Sequence, residues 1–221
     1  MPLERRSLNP GRARLWRGLS WVSRRRHCAK LATCVTAAFV AAGFVSAAMA
    51  SPSDGAGSSG TGALVPSTAF LQVGAASDAE MLILGATWDW TWQRDTRLGR
   101  IGGYSEVSFG RWRSEIGEDG ASDWVTQWGV TPVLRLHPDG WGGRWFVEIG
   151  IGVNLLVPIY RTSGKHFSTT FNFGDHLAVG RQFSERCRHE ISLRLQHFSN
   201  AGIDSPNPGE NFLQLRYVAR F

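Results

Sequence analysis

The sequence predicts an all-β fold, an eight-stranded antiparallel transmembrane β-barrel, and three observations carry that expectation. From Ser67 onward apolar residues recur at every second position, with no sustained helical periodicity. Arginine and glutamate fall repeatedly on the parity opposite the aliphatic one, the arrangement of a polar interior inside an apolar wall. Aromatic residues gather near the segment ends (Trp88, Trp90 and Trp92; Trp124; Trp145; Tyr217 and Phe221), where the interfaces of a bilayer lie.

Eight segments follow in order. A weaker one near 68–76 opens the series. Near 82–92, Leu82, Leu84, Trp88, Trp90 and Trp92 share a face, and a second weaker segment lies near 102–113. Trp124, Trp128, Val130 and Leu134 align near 122–136. In 144–154, Trp145, Val147, Ile149, Ile151 and Val153 oppose Arg144, Glu148, Gly150, Gly152 and Asn154. A third weaker segment lies near 169–182. Ile191, Leu193 and Leu195 then alternate with Arg188, Glu190, Arg194 and Gln196, and Leu213, Leu215, Tyr217 and Phe221 with Gln214, Arg216 and Arg220. Each segment has about ten residues, the length a tilted strand needs to cross a bilayer. An even number with closure leaves no unpaired edge in lipid. Alternation alone would also fit a soluble sandwich. The last strand, ending on Phe221 at the apolar parity, resembles the C-terminal strand of bacterial outer-membrane proteins and assigns the chain to the outer membrane. With both termini periplasmic, the loops near 77–80, 114–121, 155–168 and 200–209 face outward.

The segment before the barrel reads as an export signal. Arg24-Arg25-Arg26 and Lys30 precede an apolar stretch from Leu31 to Ala50 that ends Ala48-Met49-Ala50, a charged region, an apolar region and small residues at −3 and −1. Residues 1–50 are expected to be a cleavable signal, with Ser51 as the new N-terminus and an uncleaved anchor helix as the alternative. Residues 51–66 form a Gly/Ser-rich lead, and residues 67–221 the barrel domain. The formal charge of +6 belongs to the signal, because nine of the 24 basic groups and one of the 18 acids lie in residues 1–50. The remainder is net −2, which removes the case for a nucleic-acid partner. Mean hydropathy of −0.17 excludes a polytopic helical membrane protein. Cleavage leaves Cys187 alone, so no internal disulfide staples the domain.

One strand carries chemistry. The apolar parity of the seventh segment reads Ile191, Leu193, Leu195, His197, Ser199, so a lipid-facing row turns into histidine and serine without a change of register. Residues two apart on a strand share a face, roughly 7 Å apart. His197 is therefore within reach of the Ser199 hydroxyl as its base. A polar pair on a lipid-facing wall is unfavourable and asks for a reason. Spacing alone leaves two readings open, a nucleophile–base pair or a harmless pair at the headgroup boundary.

Gln196-His197-Phe198-Ser199-Asn200-Ala201-Gly202-Ile203, followed by Pro206-Asn207 and Gly209, resembles the signature of the PagL-type lipid A 3-O-deacylases over about residues 190–221. The resemblance implies an eight-stranded outer-membrane barrel that hydrolyses the 3-position 3-hydroxyacyl ester of lipid A. It implies Ser199 as nucleophile, His197 as general base and Asn200 as a residue needed for activity, with Asn207 and the Gly202 N–H as candidates for the oxyanion hole. The implied partners are lipopolysaccharide and the surrounding membrane lipids, with a homodimer left open, and no cofactor or metal. The third member departs from the family. The family's acid lies twelve residues beyond its serine, which lands here on Asn211, with Glu210 one residue early and on the inward parity. A bulge at Pro208-Gly209 would reverse parity and bring Glu210 to the imidazole. Otherwise Asn211 orients the histidine, as in Cys-His-Asn sites. Glu210 is the favoured expectation and Asn211 the alternative.

The remaining candidates are weaker. His137, His166, His176 and His189 lack metal-ligand spacing. Glu106, Glu148, Arg135, Arg194 and Arg216 read as an interior ion network. Arg161, Lys165 and His166 read as solvated loop charge, with contact to lipid A phosphates as the alternative. Two competing functions stay open, a non-catalytic barrel and an outer-membrane phospholipase.

Overall fold

The computed structural model describes residues 65–117 and 121–221. The expected signal, its cleavage after Ala50 and residues 51–64 of the lead lie outside the described residues. Nine strands follow: β1 (Thr68–Ala75), β2 (Ala79–Asp89), β3 (Arg94–Thr96), β4 (Gly99–Glu115), β5 (Ser122–Pro138), β6 (Trp145–Val157), β7 (Phe171–Phe183), β8 (His189–Ser199) and β9 (Glu210–Arg220). Eight of them close an antiparallel barrel, each pairing with its neighbour in sequence, with β2 pairing β4 and β1 pairing β9. Closure satisfies every ladder, since an unpaired backbone group costs several kcal/mol in lipid. The short β3 pairs only with the start of β4 and extends the rim at the end remote from the β8–β9 loop. No sequence pattern announced it, because three residues are too few to alternate. β2 ends at Asp89, although the Trp90 N–H still donates to the Gly103 carbonyl at 2.9 Å. Its ring lies over Gly103 on the outer wall, with the indole N–H 3.1 Å from Ser105 Oγ.

Along each strand the burial pattern is inverted relative to a water-soluble sheet. In β6 the outward residues are aliphatic and bare, Ile149 at 54% and Ile151 at 62% exposure, while Glu148 and Asn154 are buried. Only an apolar medium makes that alternation favourable. The lumen is filled, as expected for eight strands. Its glycines make room: a Cβ on Gly150 would stand 2.4 Å from the His176 ring.

Two storeys occupy the lumen. One is the expected ion network, enlarged by Glu190 and Tyr104. Arg135 bridges Glu148 (2.6 Å) and Glu190 (2.7 Å), Arg216 binds Glu106 (2.5 Å), and Arg194 lies between Glu106 and Glu148. Tyr104 donates to Glu148 at 2.8 Å. The other storey, toward the β8–β9 loop, is aromatic. Trp112 packs edge-on against Tyr160, Phe198 and Phe212 with centroids 4.7–5.3 Å apart, and its N–H donates to Gln127. Tyr160 and Phe167 come from the β6–β7 loop, which folds its rings into the mouth as a plug.

Glu148→Ala strips Tyr104, Arg135 and Arg194 of a shared acceptor and leaves buried charge uncompensated. The expected cost is about 3–5 kcal/mol, read as a lower denaturant midpoint of the heat-modifiable gel shift in detergent. An unchanged midpoint would show that the network adds no stability.

Candidate active site

β8 presents its outward row without interruption. Ile191, Leu193 and Leu195 are exposed on the wall, and His197 and Ser199 continue the same face, both half-buried. Between them Phe198 points the opposite way and is fully buried against Trp112 and Phe212. That lumenal anchor fixes the strand on which the two polar residues stand.

The imidazole is held from the neighbouring strand. His197 pairs with Asn211 across the β8–β9 ladder, and His197 Nδ1 lies 2.9 Å from Asn211 Oδ1. A carbonyl oxygen only accepts, so Nδ1 is the donor in this contact, and in the neutral ring the lone pair is on Nε2. Gly209 sits against the other edge of the ring. A Cβ there would stand 2.6 Å from His197 Cε1 and 3.2 Å from Nε2, and the residue has φ +63°. Both space and backbone therefore require glycine at this position.

Glu210 is not brought to His197. The ladder holds His197↔Asn211 and Phe198↔Glu210 in register, so parity is not reversed and Glu210 is not carried to the imidazole by a bulge; Pro208 and Gly209 precede the strand. The Glu210 side chain is buried in the lumen. It accepts a hydrogen bond from Tyr160 Oη at 2.8 Å and an ion pair from Lys165 Nζ at 3.0 Å. Burial first, and the carboxylate second, push the Tyr160 hydroxyl far above its ordinary range, so it remains a donor. Glu210 thus ties the plug loop to β9. Lys165 is one-third exposed at the rim and is engaged as the partner of that carboxylate. Arg161, by contrast, is exposed, 3.9 Å from Asp123.

Asn200, Gly202 and Asn207 form one scaffold beside Ser199. Asn200 is buried. Its Nδ2 donates to Ser168 Oγ and to the Asp204 carbonyl, both at 2.9 Å, and its Oδ1 accepts the Gly202 N–H at 2.9 Å. Its own N–H donates to Asn207 Oδ1 at 3.1 Å. The turn they hold carries Ala201 and Gly202 at φ +53° and +80°. In this geometry the Gly202 N–H is engaged within the loop rather than aimed at Ser199.

An open groove of about 530 Å³ runs down the outer wall from these residues. Its upper part is polar (His197, Ser199, Asn211), its lower part aliphatic (Ile149, Leu177, Leu195). It contains one group that sequence reasoning passed over. Asp175 on β7 is the register partner of His197, exposed on the outer face, and Phe173 is the partner of Ser199. The signal was present. Asp175 lies on the same parity as Phe173, Leu177 and Val179, and breaks the lipid-facing row as His197 does. Of the other histidines, His176 is buried in the lumen and His189 Nδ1 lies 2.8 Å from Tyr217 Oη.

A model of the lipid A 3-O-deacylase (PagL) family matches residues 80–220. The lipid A deacylase PagL of Bordetella bronchiseptica is 32% identical over 132 residues, 60% of this chain and 70% of that protein. That of Pseudomonas aeruginosa is 32% identical over 149 residues, 66% and 81% respectively. The crystal structure of the outer membrane enzyme PagL superposes with a TM-score of 0.59 at 28% identity, over 70% of this chain and 99% of that one. With the barrel, the outward His-x-Ser row and a family match spanning β2 to β9, the chain belongs to the lipid A 3-O-deacylase (PagL) family.

Proposed function

We propose that this protein removes the 3-position acyl chain of lipid A in the outer leaflet, with Ser199 as nucleophile and His197 as general base. The observation that carries the reading is the His197–Asn211 contact, which makes Nδ1 the donor and leaves Nε2 of the neutral ring to act as base for Ser199 on the same outer row. Ser199 Oγ attacks the ester carbonyl as its proton passes to Nε2. The imidazolium then returns the proton to the departing sugar oxygen, leaving an acyl-serine. Water, deprotonated by the same nitrogen, releases the 3-hydroxy fatty acid. The aliphatic groove below suits an acyl chain, because the chain stays among lipid-facing side chains while its ester rises to the polar rim.

Asn211 is the orienting group in this reading. It sits at the position twelve residues beyond Ser199 and holds the tautomer, while Glu210 serves the loop plug. A neutral amide orients the ring but stabilises imidazolium less than a carboxylate. In serine proteases the Asp→Asn change at the equivalent post costs about 10⁴ in rate. Asn200 acts by shaping the turn after the nucleophile. Gly202 and Asn207, both bonded to Asn200, can serve an oxyanion only if substrate displaces those contacts. All these groups come from one chain.

Expression in a Gram-negative outer membrane is expected to lower the mass of lipid A by one 3-hydroxyacyl chain, with the mature protein beginning at Ser51 on N-terminal sequencing. Ser199→Ala should reduce that loss by about 10³-fold or more, and full deacylation by this variant would reject the serine. Asn211→Ala should lower turnover by about ten- to a hundredfold and Asn211→Glu should raise it, whereas Glu210→Gln should stay within about threefold of wild type. A reversed ranking of positions 210 and 211 in a detergent assay would return the orienting role to Glu210. Gly209→Ala should slow turnover at least about tenfold, because the new methyl displaces the His197 ring and sits at a left-handed φ. Unchanged kcat in that variant would show that the ring has room to spare.

A further inference from the structure

Asp175 is a carboxylate on a lipid-facing row, flanked on its own strand by Phe173 and Leu177. On one side the ladder sets it against Ile151 of β6, on the other against His197 of β8. Among the described residues no lysine or arginine pairs with it. Such a group is unfavourable on the outer wall, and intramembrane ionisable residues persist where they have a partner or a function. The only titratable side chain facing it from either neighbouring strand is the His197 imidazole.

Directly opposed residues of an antiparallel pair hold their Cβ atoms about 4.5–5.5 Å apart. His197 commits its Nδ1 to Asn211 on the β9 side, so Asp175 flanks the ring from the β7 side. Asn211 supplies orientation without charge, and Asp175 stands where charge without orientation is useful. At the edge of the hydrocarbon layer the effective dielectric is far below that of water, and a charge at this range retains its force.

Resting on the His197–Ser199 reading above, we propose that Asp175 is a positioning residue that acts through His197, supplying the negative charge that stabilises its imidazolium. The orienting and charge-stabilising duties of the third triad member are thereby split between two strands, Asn211 on β9 and Asp175 on β7. The lipid-facing carboxylate is kept, at a cost to barrel stability, for the proton transfer alone.

The test compares wild type with Asp175→Asn, Asp175→Leu, Asp175→Glu and the double variant Asp175→Asn/Asn211→Glu, all refolded in detergent and checked by gel shift. Two readouts are taken. One is turnover of lipid A. The other is the rate at which an alkyl fluorophosphonate labels Ser199, where Oγ bonds to phosphorus, fluoride leaves and the proton passes to His197. Removing the charge should lower kcat and the labelling rate about tenfold, with KM little changed. Asp175→Leu should show the same loss while raising the unfolding midpoint, because it completes the apolar row. Asp175→Glu should hold within about threefold of wild type, and the double variant should recover, because Asn211→Glu returns a charge to the ring. The proposal is overturned if Asp175→Asn and Asp175→Leu stay within twofold of wild type in both readouts, if the loss lies in KM alone, or if the double variant does not recover. A wild-type protein that labels at Ser199 but leaves lipid A intact would reject the substrate and still test Asp175 by labelling. Absence of labelling at Ser199 would overturn the serine and this proposal together.

Discussion

A strand in hydrocarbon has no water to satisfy its backbone, so the ladder must close on itself and side chains must alternate strictly between lipid and lumen. Every feature of the site depends on that period of two. Because β8 keeps it to Ser199, His197 and Ser199 emerge on the outer wall. Because β9 keeps it from Glu210 onward, Asn211 meets the imidazole and Glu210 cannot. A single inserted residue in either strand would exchange the two and dismantle both the site and the plug.

The lumen makes the outer wall precise enough for chemistry. Phe198 and Phe212, the inward neighbours of His197 and Asn211, are locked into the Trp112 cluster. The Tyr160–Glu210–Lys165 group ties the plug loop to the first residue of β9. Positions 210 and 211 therefore divide their labour, one holding the loop from inside while the other holds the histidine from outside. The ion network below adds a second rigid layer, so the site rests on packed strands rather than on a mobile rim.

Most of this was legible because alternation is a local property of sequence. Eight barrel strands, the Glu106–Glu148–Arg135–Arg194–Arg216 network and the outward His197–Ser199 row all follow from parity. What parity cannot register is the path of loops. Tyr160, Lys165 and Phe167 turn inward because the barrel mouth offers an aromatic surface and a buried carboxylate, features assembled from three strands distant in sequence. The preference for Glu210 came from valuing charge over register. Pro208 and Gly209 lie in the outer loop, and the ladder opens at Phe198↔Glu210 with its parity unchanged. Asp175 was overlooked for a simpler reason. Its strand alternates weakly, broken by Gly174 and His176, so a polar residue on the apolar parity raised no alarm.

On the assignment proposed above, the same physics accounts for a neutral residue at the third post. In a solvent-exposed triad, water screens distant charges and the stabilising carboxylate must touch the histidine. At the margin of the bilayer that screening is reduced, and the role proposed for Asp175 across one ladder step relies on this. Orientation still demands contact, since a hydrogen bond alone selects the tautomer, and Asn211 provides it. Charge and contact are then separable requirements. A lipid-facing active site is where evolution can assign them to different strands, and the closed register guarantees that the two strands flank the same ring.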